Sequence, residues 1–546
     1  MLNHLSGLDA TFLHLETPEM PMHVGGLHLL ELPANYDGDF YETFKAHIAA
    51  RLHLAEVFHR KLALMPFELS NPVWVDDEDV DIDYHIRHIT LPKPGSLQQL
   101  EQYIARLHSS LLDRSRPMWE MFILDGLQSG QVALYTKVHH AGVDGQAGVA
   151  LAGAIMDLTA EPRQVKPPRA RTRTHKYQLG MAELASAAVS NTFRQYVKLV
   201  KTFPDMARAA RSIALPQQGE DGKRRWALPK NFQLLSPKTP FNVSITNQRA
   251  YAVRSLSLAE TKQIGRQAGV SLNEVVLAIC GGALRRYLTE YGELPKKSLT
   301  AAVPVSLRAE GNTDSNNQVT MAVMTLATDI KDPLERLKAI RESSSATKSL
   351  MGTLKAAVPT DFPSFGAPWL LTGLASLYGR SRLANALPPV ANVAISNVPG
   401  PQMPLYVAGA KMLTYYPVSI PSHGVALNIT VQSYNGSLDY GLIACRQAVP
   451  DVADIADFVV AEHNKLLELT SKLAPSTKTV GAGAPLVALP DPVKVAAPAK
   501  PRAAKKAIVR KKAATGNGAT AAKRASPRKT ASKTASKPRS SASATR

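Results

Sequence analysis

Residues Val132-Ala133-Leu134-Tyr135-Thr136-Lys137-Val138 form a short alternating apolar run that predicts a strand. After a glycine-bearing turn, Gln146 to Leu158 is apolar and alanine-rich, which predicts a buried helix. Further along, Val319–Thr325, Ala426–Val431 and Ser437–Ala444 alternate again and predict strands. Ser271-Leu272-Asn273-Glu274 carries the spacing of a capping box, with Ser271 and Glu274 satisfying the first free amides of a helix. Residues 178–214 gather Met181, Leu184, Ala188, Phe193, Tyr196, Val197 and Val200 on an apolar side, accompanied by Arg194, Lys198, Lys201, Arg208 and Arg211. That pattern fits a crossover helix packed between domains or a basic amphipathic helix lying on lipid, with a break or kink at Pro204.

Strands mixed with helices in both halves predict an α/β or α+β protein of two similar lobes. The punctuation sets the boundaries. A first lobe covers 1–160, a linker and crossover helix 161–240, a second lobe 241–473, and a disordered basic tail 474–546.

Between the first strand and its helix lies His139-His140-Ala141-Gly142-Val143-Asp144-Gly145. Two imidazoles at a strand end are placed where rigid scaffolds present reactive groups. A histidine near its ordinary pKa of about 6.5 takes and returns a proton at neutral pH. This reading makes His140 a base and His139 its structural neighbour, with Asp144 and the glycines Gly142 and Gly145 shaping the loop through conformations that other residues avoid. A plainer reading makes both histidines ordinary buried residues and Asp144 the N-cap of the next helix. His140 and Asp144 are four apart, yet no further Cys, His or Glu cluster completes a metal sphere, so no metal is expected.

Size and charge narrow the class. A chain of 546 residues exceeds one compact core. No charged-then-apolar leader opens it, and no stretch reaches the ~20 apolar residues of a spanning helix; the longest candidate, Phe365–Tyr378, is interrupted by Pro368 and two glycines. Cys280 and Cys445 sit in apolar surroundings, which fits buried free thiols and a reducing cytoplasm. The net charge of +20 belongs mostly to the tail: residues 478–546 hold 17 Lys and Arg against Asp491 alone, leaving +4 before them. Poor in large apolar residues, the tail is expected to stay unordered and to attract polyanions, whether lipid headgroups or nucleic acid, or merely to solubilise. Without interleaved aromatics it offers no platform for sequence-specific nucleic acid binding.

The heptapeptide is similar to the His-His-x-x-x-Asp-Gly signature of the CoA-dependent acyltransferase superfamily, which includes chloramphenicol acetyltransferase and the condensation domains of nonribosomal peptide synthetases. Other blocks resemble one branch, the bacterial wax ester synthase/diacylglycerol acyltransferases. They are Leu5-Ser6-Gly7-Leu8-Asp9-Ala10, Pro21-Met22-His23-Val24-Gly25, Arg116-Pro117-Met118-Trp119-Glu120, Asn273-Glu274-Val275-Val276-Leu277-Ala278, Pro304-Val305-Ser306-Leu307-Arg308 and Ser396-Asn397-Val398-Pro399-Gly400-Pro401. Together they span about residues 1–470, with Met118 where the family has Leu and Glu274 where it has Asp.

The resemblance implies two chloramphenicol acetyltransferase-like lobes around a tunnel, with the His motif midway. It implies long-chain acyl-CoA as donor, diacylglycerol or a fatty alcohol as acceptor, and His140 as general base supported by His139, Asp144 and Gly145. Asn273 is a candidate donor to the oxyanion, with backbone amides an equal alternative; Glu274 either joins the site or simply starts its helix. Arg60 or Arg308 is expected to brace Asp144. No Gly-x-Ser-x-Gly elbow is present, so direct transfer without an acyl-enzyme fits, and acyl-CoA serves as co-substrate with no separate cofactor. Insoluble products imply a cytoplasmic enzyme held peripherally at the inner membrane face or a lipid inclusion. Two rivals remain: a condensation-type acyltransferase using carrier-protein thioesters, and a non-enzymatic lipid- or polyanion-binding protein.

Overall fold

The computed structural model describes residues 3–63, 71–143, 145–167, 217–218, 224–225, 235–306, 319–354 and 383–473. The 178–214 stretch, Phe365–Tyr378, Asp144, Arg308 and the tail beyond 473 lie outside these residues.

The chain opens with α1 (Gly7–Leu15), started by Ser6, whose Oγ accepts the Asp9 amide at 3.1 Å. The first sheet then assembles around β1 (His23–Glu31), β2 (Ile86–Thr90), β3 (Trp119–Asp125) and β4 (Val132–His139), with α2 (Leu97–His108) packed on one face. The alternation seen in sequence divides β4 between two layers. Ala133 and Tyr135 pack with Leu100 and Ile104 of α2, while Val132, Leu134 and Val138 pack with Phe40, Phe44 and Ile48. A strand covered on both faces loses its polar side, which is why β4 is buried almost throughout. Beyond the histidine turn come α3 (Gly145–Ile155) and the short β5 (Met156–Asp157).

The second sheet uses β6 (Arg249–Ser257), β7 (Thr300–Ser306), β8 (Val319–Thr325) and β9 (Val393–Val398). Three short strands follow, β10 (Tyr406–Val407), β11 (Ala410–Met412) and β12 (Tyr416–Val418), and then β13 (Leu427–Tyr434) and β14 (Ser437–Cys445). Its order is β6-β14-β13-β9-β7-β8, with β9 parallel to both neighbours and the remaining pairs antiparallel. Helices α4 (Leu258–Ala268), α5 (Leu272–Glu290), α6 (Pro333–Leu354) and α7 (Val452–Ser471) pack on it. The predicted capping box is present: the Ser271 amide donates to Glu274 at 2.8 Å, and the Glu274 amide to Ser271 Oγ at 3.4 Å. Cys280 and Cys445 are buried free thiols. The architecture is mixed α/β, as the sequence predicts.

Residues 406–418, which lie in the chain between strands of the second sheet, join the first one instead. The order there is β2-β3-β4-β1-β11-β10-β5, and β12 also pairs with β1. The exchange rivets the two sheets together. Gly441 of β14 lies against β12, and a Cβ there would sit 1.8 Å from the Pro417 carbonyl oxygen. Glu101 of α2 accepts the Val253 amide of β6 at 2.9 Å. Tyr135 of β4 shares a buried cluster with Tyr251, Val253 and Ile443 of the second sheet. Among the described residues no single helix is long and apolar enough to cross a membrane.

Candidate active site

The strand β4 ends at His139, and a single 3-10 turn, His140–Gly142, carries the chain toward α3. Two of the sequence blocks hold this turn by its main chain. The His139 amide donates to the Met118 carbonyl at 3.0 Å, and the His140 amide to the Met22 carbonyl at 2.9 Å. His23, next to Met22, stands directly across the ladder from His139. Gly142 has no positive φ, and a Cβ on it would meet only ordinary contacts with Val57 and Trp74 at 3.6 and 3.7 Å. The expectation that Gly142 supplies an unusual backbone conformation is therefore corrected: the amide-to-carbonyl bonds set the turn.

The two imidazoles have different surroundings. His139 is fully buried; its Nδ1 accepts the Ala141 amide at 3.1 Å, and its Nε2 lies 3.2 Å from Glu16 Oε2. The ring of His140 lies flat on Phe12, with centroids 4.1 Å apart and planes 9° apart. Burial, reinforced by the nearby His139, lowers the pKa of His140 to about 4 against the pull of its own main-chain carbonyl. At neutral pH it is thus an uncharged imidazole able to accept a proton. Its Nδ1 is buried with no partner among the described residues.

Sequence reasoning missed the group behind His139. Glu16 is the C-cap of α1, and its side chain is 3% exposed. One oxygen accepts the Met22 amide at 3.0 Å and faces His139; the other accepts Arg114 through Nη2 at 2.8 Å and Nε at 3.1 Å. Burial alone would raise its pKa, but the facing Nε2 of His139, with Arg114 and the Met22 amide, lowers it to about 2. A signal was available in the sequence, because an acid at a helix C-terminus opposes the macrodipole and needs another partner.

Further polar groups lie buried along the same strands. Lys137 donates to Glu120 at 3.1 Å and to the Leu107 carbonyl at 3.3 Å, and Glu120 also receives Arg87 at 3.0 Å. His108 Nε2 donates to the Ser419 carbonyl at 2.8 Å, so its Nδ1 accepts the Tyr135 hydroxyl at 2.7 Å.

Asn273 lies in the first turn of α5, its Nδ2 buried with no partner among the described residues. Glu274 completes the capping box and lies 3.7 Å from Lys348. Among the described residues no hydrogen bond joins either to the histidine turn. Arg60 is taken by Glu56, with Asp76 at 3.9 Å. Gly145 opens α3, and Asp144 and Arg308 fall outside the described residues.

A mixed α/β fold of two sheets with a His-His turn at a strand end defines the class, and the comparisons identify the family. Residues 5–276 match the wax ester synthase/diacylglycerol acyltransferase catalytic domain, and residues 315–466 match the WS/DGAT C-terminal domain. The chain belongs to this family. A Mycobacterium tuberculosis protein named as a probable diacylglycerol O-acyltransferase is 36% identical over 449 residues, covering 81% of this chain and 94% of that protein. The O-acyltransferase WSD of Acinetobacter baylyi is 33% identical over 468 residues, covering 83% and 94%. The structure of a wax ester synthase/diacylglycerol acyltransferase from Marinobacter aquaeolei superposes with a TM-score of 0.61 at 30% identity, covering 86% of this chain and all of that one. A starter condensation domain of rhizomide synthetase is a distant structural neighbour at 12% identity and TM-score 0.48.

Proposed function

We propose that this enzyme moves a long-chain acyl group from acyl-CoA to the hydroxyl of diacylglycerol or of a long-chain alcohol, with His140 as general base. The observation that carries the mechanism is the neutral, half-buried imidazole of His140 on a turn fixed by main-chain bonds to Met22 and Met118. As the acceptor oxygen forms its bond to the thioester carbonyl carbon, His140 takes the hydroxyl proton. The tetrahedral intermediate collapses by breaking the carbon–sulfur bond, and the imidazolium returns the proton to the CoA sulfur. The developing oxyanion would be met by the Nδ2 of Asn273, buried with no partner among the described residues, or equally by backbone amides.

Transfer is direct. Burial pushes the Cys280 thiol up to about 12, and Cys445 Sγ accepts from the Thr246 amide at 3.4 Å; both thiols are buried, in settings unlike that of a nucleophile. Acyl-CoA is a co-substrate, and the transfer needs no metal or prosthetic group. Because acceptor and product are insoluble, the enzyme works on the cytoplasmic side of a membrane or on a lipid inclusion, attached peripherally through its basic tail.

The test offers radiolabelled palmitoyl-CoA with diacylglycerol and with hexadecanol separately. Labelled triacylglycerol or wax ester supports the proposal and shows the preferred acceptor. No labelled product with either acceptor contradicts it.

A further inference from the structure

The groups around the His-His turn trace back to one face of one short helix. Phe12 and Glu16 are four residues apart, so they project from the same side of α1 and its C-cap. Phe12 meets the ring of His140, and Glu16 meets the ring of His139. Glu16 Oε2 also accepts the Met22 amide, and the Met22 carbonyl in turn accepts the His140 amide. On the other side, His139 Nδ1 accepts the Ala141 amide. The carboxylate is therefore linked to both strands of chain that flank His140, once through Met22 and once through His139 and Ala141.

This arrangement fixes a tautomer. Because Nδ1 of His139 accepts an amide hydrogen, its proton must reside on Nε2, which faces Glu16 at 3.2 Å. Both oxygens of Glu16 face only donors: Arg114 on one, Met22 and His139 on the other. A glutamine cannot replace it, since its amide NH2 would oppose a donor in either orientation.

We propose that Glu16 is a positioning residue for the acyl-transfer reaction, holding His139 in the Nε2–H tautomer and so setting the turn on which His140 acts. Phe12 completes the device by defining the plane of the His140 ring. The role of Glu16 rests on the assignment of His140 as base, but its structural content, the tautomer of His139, does not.

The experiment measures steady-state transfer from palmitoyl-CoA to hexadecanol for wild type, Glu16→Gln, Glu16→Ala and His140→Ala. Melting temperatures and 15N spectra of histidine-labelled protein, assigned with His139→Gln, accompany it. The expected result for Glu16→Gln is a kcat lower by about 10–100-fold, a KM for acyl-CoA changed less than about threefold, and a shifted His139 signal. Wild type should show His139 as the Nε2–H tautomer. If Glu16→Ala fails to fold, the near-isosteric Glu16→Gln and the wild-type spectrum still decide. A folded Glu16→Gln with wild-type kcat, or His139 as the Nδ1–H tautomer, overturns the proposal. If His140→Ala keeps its activity while the tautomer is as expected, the base assignment fails and the role of Glu16 in holding the turn stands.

Discussion

The imidazole of His140 and the ring of Phe12 stack at 4.1 Å with only 9° between their planes. An aromatic pair of this kind contributes about 0.5–1.5 kcal/mol beyond the area it buries. It also restricts rotation of the imidazole, so that its free nitrogen addresses one direction. Replacing Phe12 by Leu keeps an apolar contact and removes the flat surface. The expected outcome is a kcat lower by roughly 3–10-fold with little change in melting temperature, since a ~1 kcal/mol loss corresponds to about fivefold. Equal kcat in Phe12→Leu and wild type would show that the stack does not orient the base.

Acid should loosen this protein through its buried histidines. Burial is the main cause lowering His28 and His140 to about 4 and His108 to about 3. Their folded pKa values lie below the unfolded value of about 6.5, so the unfolded chain binds more protons between roughly pH 4 and 6.5. Stability is therefore complete above about pH 6.5 and falls as pH drops through that window, by up to about 1.4 kcal/mol per pH unit for each histidine. Glu16, lowered to about 2, adds a second loss below pH 4.5. Urea unfolding between pH 7 and pH 5 checks this; a midpoint that stays constant contradicts it.

The pair Lys137–Glu120 is enclosed, with side chains 0% and 7% exposed. Burial lowers the lysine pKa, with Glu120 opposing it. Glu120 keeps Arg87 when Lys137 is removed, but removing Glu120 leaves the Lys137 charge buried and uncompensated, at a typical cost of about 3–5 kcal/mol. Glu120→Gln should thus be strongly destabilising, while Glu120→Gln combined with Lys137→Met should regain a large part of the loss. A double-mutant cycle by chemical denaturation measures the coupling, and additive losses would contradict the prediction.

Much of the framework was legible because it is local. The strand Val319–Thr325 matches its predicted limits, Ser437–Cys445 and Val132–His139 exceed theirs by one residue, and the Ser271–Glu274 capping box forms as its spacing requires. The exchanged strands β10 to β12 were not legible. They are two or three residues long, β12 contains Pro417, and nothing local specifies that they pair across to β1 and β5. At the site, the His-His turn announced itself by composition. Glu16 gave only the sign of an acid at a helix C-terminus, because its partners His139 and Arg114 lie far along the chain and meet it only in the fold. Lys137 was hidden for the opposite reason: a lysine in a strand ordinarily marks a solvated face, and only its distant acid makes burial tolerable.

The basic tail yields a separable expectation. Deleting residues 478–546 removes +16 of charge. Acyl transfer in detergent should survive, while sedimentation with anionic vesicles should weaken and become less salt-sensitive. Loss of activity toward detergent-dispersed substrates would place the tail inside the catalytic unit.

The most direct test of the central claim compares transfer from palmitoyl-CoA by wild type and by His140→Ala that keeps its melting temperature. As a positioned general base, His140 should account for about 10²–10⁴-fold in rate. A folded His140→Ala within tenfold of wild type would contradict the assignment of His140 as the base.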